Sequence, residues 1–334
     1  MRRVVLVLLT VILAMVVAAI IAIAFIISRA PAIESEDTGD IIIDIPRGNL
    51  YGGPNFGRQL DISADGKRIV YVGQAGKASR VLFLHTIGET APAEIPGTGV
   101  GNRDIRDPTF SPDGRYVAYW AQGELRKITL DGSVSVVRKA PSPRGIGWLD
   151  DDTLVLGNPQ GVLLRLKLSS SEEEPLPLAP SPGPGRVQVS PYVLPGNKAI
   201  LFTIVNGPLM NARIGALTLE TGEARQLFDE NAFAPRYVST DHLVFARGAT
   251  RQLMAVRFDL SKLEIVGSAQ PVLDVPLYGT GDGGATDYAI SETGTLVYTP
   301  YREAGSDTLR AWFGDPTAMH VRLNWFEELN RLAP

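Results

Sequence analysis

"FSPDGRYVAYW" (residues 110–120) reads as a tight turn that delivers the chain into an apolar strand. Pro112 presets φ at the first corner, Asp113 can hydrogen-bond back onto the turn, and Gly114 supplies a permissive backbone. Variants of the phrase recur in "ISADGKRIVYV" (62–72), "YVSTDHLVFA" (237–246) and "AISETGTLVYT" (289–299). Asp113 becomes Asp65 in the first of these and Thr293 in the last. A turn needs repeating around a molecule and a catalytic acid does not, so Asp113 is expected to turn the chain rather than perform chemistry.

Working outward, apolar strands follow the turns at "RIVYV" (68–72), "YVAYW" (116–120), "TLVLG" (153–157), "AILFT" (199–203), "HLVFA" (242–246) and "TLVYT" (295–299). With Val70, Ala118, Val155, Leu201, Val244 and Val297 taken as equivalent, the period is about 45 residues, within the range of propeller blades. A second strand follows in most units, as in "RVLFLHTI" (80–87), "ELRKITL" (124–130) and "QLMAVRFDL" (252–260), and then a short edge strand such as "VSVVRKA" or "ARQLFDE". The strands are nearly continuous in apolar residues, as in sheets covered on both faces. The expected fold is all-β: a β-propeller of about six blades, either an incomplete ring with blades missing or one with an improvised closure, each blade beginning at its turn.

Residues 4–27 contain no charge, Gly or Pro and only Thr10 as a polar member. A helix of about 24 residues is about 36 Å long, enough to cross a hydrocarbon core of about 30 Å. Arg2 and Arg3 before it, against Arg29 followed by Glu34, Glu36, Asp37 and Asp40 after it, favour the amino terminus inside. A cleaved signal peptide is the alternative, but the run is long for one and "SRAPA" is a poor cleavage site. The expected organisation is a transmembrane anchor with a short cytoplasmic amino terminus (1–29), an acidic linker (30–40), the propeller (41–310) and an amphipathic tail (311–334). Such a chain is a single-pass protein of the inner (cytoplasmic) membrane, with its propeller in the periplasm or outside the cell.

Composition narrows the function. The chain of 334 residues carries a net charge of −4 with no clustered basic face, which argues against nucleic-acid binding. The absence of cysteine removes thiolate metal sites, disulfides and a cysteine nucleophile. The three histidines, His85, His242 and His320, show no metal-ligand spacing. "GTGDGGATD" (279–287) lacks the Lys-Ser/Thr ending of a phosphate loop, and Asp282 and Asp287 do not make a calcium loop. "LDDDT" (149–153) aligns Asp150, Asp151 and Asp152 with the turns of the other units. No G-x-S-x-G elbow is present. No catalytic residue, cofactor site or metal site is therefore assigned, and the chain is not expected to be an enzyme.

The turn-and-strand phrases resemble the repeat of TolB-like propellers, a relation of the WD-type fold. The order "DISADGKRIVYVG", "IPGT", "PTFSPDGRYVAYWAQGELRKITLDG", "APSPRGIGWLDDDTLVLG" further resembles the propeller region attached to bacterial membrane-spanning serine/threonine kinases, as does "HVRLNWFEELNRLAP" (320–334). The kinase motifs themselves are missing from these residues. The resemblance implies a non-enzymatic interaction or ligand-sensing module for a protein, peptide or envelope ligand. Two other readings remain: a propeller hydrolase or lyase using channel carboxylates, and a truncated remnant of a kinase sensor. A helix over about 318–332 would align Val321, Trp325, Leu329 and Leu332, for packing onto the propeller or for contact with a partner or membrane.

Overall fold

The residues that set the repeat, Val70, Ala118, Val155, Leu201, Val244 and Val297, are all fully buried in the computed structural model. The structure describes residues 41–44, 57–75, 79–99, 104–176, 186–206, 211–227, 229–248, 250–277, 279–280, 285–301 and 318–334. The apolar run 4–27 and the linker lie outside them. Among the described residues no helix is long and apolar enough to cross a membrane.

The described chain forms six four-stranded antiparallel sheets and one two-residue pairing of Gly279–Thr280 with Ala285–Thr286. Blades 1 to 5 span residues 60–94, 105–139, 146–175, 186–226 and 232–276, each a meander in sequence order. Blade 6 begins with Tyr288–Ile290, Leu296–Tyr298 and Ala318–Arg322, and its outermost strand is Ile41–Asp44 from the other end of the ring. Ile41 pairs with Val321 and Ile43 with Met319. The closure is therefore one strand from the front of the chain completing three from the back. The innermost strands of blades 6 and 1 then lie side by side.

Alternation explains why the strands are apolar throughout. Along Arg68–Ala75, Ile69 and Tyr71 pack with Ile43 and Val321 of blade 6, whereas Val70 and Val72 pack with Ile105 and Val117 of blade 2. Ala118 and Trp120 point the other way from Val117 and Tyr119, to meet Trp148 and Leu154 of blade 3. Successive side chains leave opposite faces of a strand, so a sheet between two others must be apolar on both. Six clusters result, one between each pair of neighbouring blades.

Two expectations change. The turn does not begin a blade: it joins an innermost strand to the second. Those innermost strands, among them Ile105–Phe110, Arg186–Val193 and Ala232–Val238, carry no mark in the apolar period. They contain Asp107-Pro108, Ser190-Pro191 and Ala234-Pro235, poor strand formers tolerated here because the strands bulge and lie at a sheet edge. The tail also divides. Residues 318–322, read as helix, are the third strand of blade 6, held by pairing on both sides. The helix is Trp325–Leu332.

That helix packs on the propeller, with Trp325 and Leu329 buried in the cluster between blades 5 and 6. Arg322 pairs with Glu328 at 3.1 Å, and His242 Nε2 lies 2.5 Å from the carbonyl of Ala333. His242 is thus a buried clamp on the carboxyl terminus.

The closing strand yields a direct test. Ile43 is buried at 6% exposure and its neighbour Ile42 is 59% exposed. Ile43→Ala should cost about 2–4 kcal/mol in chemical denaturation of the full chain, and Ile42→Ala less than about 0.5 kcal/mol. Equal effects would mean that this strand does not close the ring.

Candidate functional site

The turns behave as their repetition requires. Asp113 Oδ1 accepts hydrogen bonds from Ser111 Oγ at 2.6 Å and from the Arg115 amide at 2.9 Å. Asp65 does the same for Ser63 Oγ at 2.5 Å and the Lys67 amide at 3.1 Å, and Thr293 Oγ1 lies 3.0 Å from Ser291 Oγ. Gly66 and Gly114 occupy φ of 71° and 68°. The hydrogen bonds these aspartates accept hold their carboxyls below the usual range. Asp113 is a turn residue.

The other sequence candidates are also structural. In "LDDDT", Asp150 caps the Asp152 amide at 2.8 Å, Asp151 accepts from the Asp113 amide at 3.2 Å, and Asp152 binds the Ser169 amide at 3.0 Å. The three carboxylates serve three different donors. His85 is buried in blade 1, and His320 stacks obliquely on Tyr298 at 5.3 Å. Among the described residues no three His, Asp or Glu side chains gather as a metal site. Asp282 lies outside those residues. Asp287, at the end of the glycine-rich stretch, has a place that the sequence did not disclose.

That place is the central channel. In the strand registers, one position recurs two residues before the partner of Val70 and of each of its counterparts: Gln59, Asp107, Gly145, Ser190, Ala234 and Asp287. Asp107 and Asp287, from blades 2 and 6, flank blade 1 and are 2% and 0% exposed. Asp107 Oδ1 accepts the Arg58 amide and Asp287 Oδ1 the Gln59 amide, each at 2.9 Å. Among the described residues the second oxygen of each carboxyl completes no hydrogen bond, although the Gly145 amide lies close enough to act on Asp107. Burial pushes the Asp107 carboxyl up to about 6 and the Asp287 carboxyl up to about 7, against the pull of those amides and of the Arg58 charge.

Above this ring, on the side of the turns, the channel opens into a cavity of about 400 Å³. Every blade contributes to its lining, with Asp61, Phe110, Trp148, Tyr192, Arg236 and Glu292 as one side chain from each. Arg58 and Arg236 form its floor. The same two arginines line a second cavity of about 10 Å³ with Asp107, the volume of about one water. They therefore partition the mouth from the acids behind. Arg236 stacks on Tyr192 at 5.2 Å and on Tyr288 at 5.8 Å, and Tyr192 is held by a hydrogen bond to the Tyr237 carbonyl at 3.0 Å. Burial, then the neighbouring Arg58, depress the Arg236 guanidinium.

Solved structures reproduce this architecture. The putative TolB from Agrobacterium tumefaciens aligns with a TM-score of 0.53 at 15% identity, over 84% of this chain and 96% of that one. The fold is a six-bladed β-propeller. TolB from Acinetobacter baumannii aligns at 16% identity and a TM-score of 0.47 over 66% of this chain, which spans 52% of that protein. An oligogalacturonate lyase from Vibrio parahaemolyticus aligns at a TM-score of 0.51 and 12% identity, over 85% of this chain and 97% of its own. At such identities the likeness is one of fold. No family model and no curated protein matches the sequence.

The buried acids predict a pH dependence with a definite sign. A carboxyl whose folded value lies above its unfolded one binds protons more tightly in the native state. Its contribution is full below about pH 4 and is lost as the pH rises toward 7 to 8. The shifts of Asp107 and Asp287 correspond to roughly 2–4 kcal/mol per group. His85 and His242, whose imidazoles burial depresses, act oppositely on the acid side, so the informative quantity is a difference. The melting temperature of Asp287→Asn minus that of the unaltered chain should rise between pH 5 and pH 8. A difference independent of pH would show that Asp287 does not titrate in this range.

Proposed function

We propose that this chain is a membrane-anchored, non-enzymatic recognition module whose propeller binds a protein or peptide at the channel mouth. The supporting observation is the mouth itself: a cavity of about 400 Å³ to which all six blades contribute, lined by Trp148 and Tyr192 and floored by two arginines. Aromatic and arginine side chains dominate recognition surfaces because they offer large contact area and directed donors at little cost in side-chain freedom. The apolar run 4–27 supports the reading of an anchor, and the charges flanking it favour a propeller outside the cytoplasm. The resemblance of the motif order to kinase-attached propellers is in keeping with a sensing role.

A lyase or hydrolase using channel carboxylates is the second reading. Asp107 and Asp287 favour it by their raised values, which suit proton transfer near neutrality. The geometry weighs against it. Asp107 lies behind Arg58 and Arg236 beside a space for about one water, Asp287 is fully buried and lines neither cavity, and each already holds a backbone amide. Among the described residues, a substrate entering by the mouth meets the arginines before it reaches Asp107.

Photo-crosslinking tests the binding reading. A photoreactive side chain at Glu292, exposed on the mouth, should give a reproducible adduct in intact cells. The same side chain at Val266, exposed on the outermost strand of blade 5, should not. Equal labelling from both positions, or none from the mouth, would sink the proposal.

A further inference from the structure

The floor of the mouth holds a buried guanidinium, Arg236, with no ion-pair partner of its own among the described residues. Arg236 is 8% exposed, donates to the Pro235 carbonyl at 2.7 Å and otherwise lies against two tyrosine rings. Among the described residues no carboxylate pairs with it. Arg58 makes one ion pair, with Asp61 at 3.4 Å, and its charge also acts on the Asp107 and Asp287 carboxyls behind it. Asp61 is itself divided, since its other oxygen accepts the Phe110 amide at 2.9 Å. Of the remaining acids, Glu292 is exposed at the rim, while Asp107 and Asp287 each commit one oxygen to a backbone amide of the segment entering blade 1.

Two guanidiniums lie side by side with one acid, Asp61, facing them from the mouth; Asp107 and Asp287 draw on Arg58 from behind, and Arg236 keeps most of its donors unused. Burying a cation without a counter-charge is costly, and a like charge beside it adds to that cost. An anion entering the mouth would relieve both. A carboxylate matches in charge and shape: it is a monoanion, and its planar pair of oxygens fits the guanidinium fork. A phosphate dianion would instead set a second negative charge near Asp61. Tyr192 and Trp148 stand where the group bearing the carboxylate would lie, and about 400 Å³ holds a residue or two of an extended chain.

We infer that the channel mouth is a carboxylate-binding site, with Arg236 as the fork that grips the anion, Arg58 as the second cation, and Tyr192 and Trp148 as walls for the attached chain. This deepens the reading of the mouth as a recognition surface and rests on it. The carboxylate can come from the carboxyl terminus of a peptide or from a small free acid, and these sources are separable.

The test is calorimetric titration of the full chain in detergent micelles at constant ionic strength. The probes are N-acetyl-Gly-Gly-Ala as free acid, the same tripeptide as its carboxamide, and sodium acetate. The free acid should bind at least about tenfold more tightly than the carboxamide. Arg236→Gln should abolish that preference, and Arg236→Lys, which keeps the charge but loses the fork, should retain only part of it. Acetate equal to the tripeptide acid assigns the site to small acids, and acetate weaker than it assigns the site to peptide termini; both support the carboxylate site. Equal binding of acid and carboxamide, no binding of either, or an undiminished preference in Arg236→Gln overturns it. Melting curves accompany each variant, and Arg58→Gln carries the comparison if Arg236→Gln does not unfold cooperatively. A specific adduct at Glu292 together with equal acid and carboxamide binding removes the carboxylate and leaves the recognition surface. Loss of the Glu292 adduct removes the surface itself.

Discussion

Six sheets packed face to face around one axis bring their innermost strands together, and the backbone groups at those strands must find partners across the gaps between blades. A polar backbone group buried without a partner costs about as much as a lost hydrogen bond, so the ring depends on these bonds being made. Each junction has at least one. Phe110 donates to Asp61 between blades 1 and 2, and the Trp148 indole to the Thr109 carbonyl between 2 and 3. Ser190 donates to the Arg144 carbonyl between 3 and 4, and Ala234 to Thr203 Oγ1 between 4 and 5. The Tyr288 hydroxyl reaches the Ala234 carbonyl between 5 and 6, and Gln59 donates to Asp287 where the ring closes.

The bulges make this possible. Asp107, Ser190 and Ala234 occupy φ of 54°, 53° and 52°, and each precedes a proline. Residues with side chains adopt that conformation only at a cost of roughly 1–2 kcal/mol. What it achieves is visible in the hydrogen bonds: the bulged amide leaves its own ladder and points to the preceding blade. The following proline has no amide to leave unsatisfied. Strain at three positions is thus exchanged for connection between sheets that otherwise meet only through apolar side chains.

The sequence disclosed the fold through its apolar period and its turns, because burial on two faces and positive φ leave few choices of residue. Val70 and its five counterparts marked second strands correctly, and Asp113 was legible as a turn residue from its replacement by Thr293. The innermost strands were not legible, since "RDPTF" and "FAPRY" carry residues that belong in loops by every local preference. Nor was the pairing of Ile41–Asp44 with Ala318–Arg322, which joins residues from opposite ends of the chain and leaves no local mark. The candidate site was hidden for the same reason. Arg58, Asp107, Tyr192, Arg236 and Asp287 are scattered through the sequence with no common spacing, and only closure of the ring makes them neighbours.

The contrast between turns and channel also indicates where this propeller has become particular. The turn position is filled by similar residues from blade to blade because every turn has the same task. The channel position is filled by Gln59, Asp107, Gly145, Ser190, Ala234 and Asp287, four side-chain chemistries and a glycine at geometrically equivalent places. Its two acids stand on either side of blade 1, whose leading segment brings Arg58, and the charges are therefore gathered on one side of the axis. Arg236, from blade 5, extends that charge toward the mouth against the Tyr192 ring. A scaffold needing only closure could fill six equivalent positions with one small residue. The asymmetry here costs burial of charge, and its directional result is a pair of cations presented at one mouth with the acids held behind them.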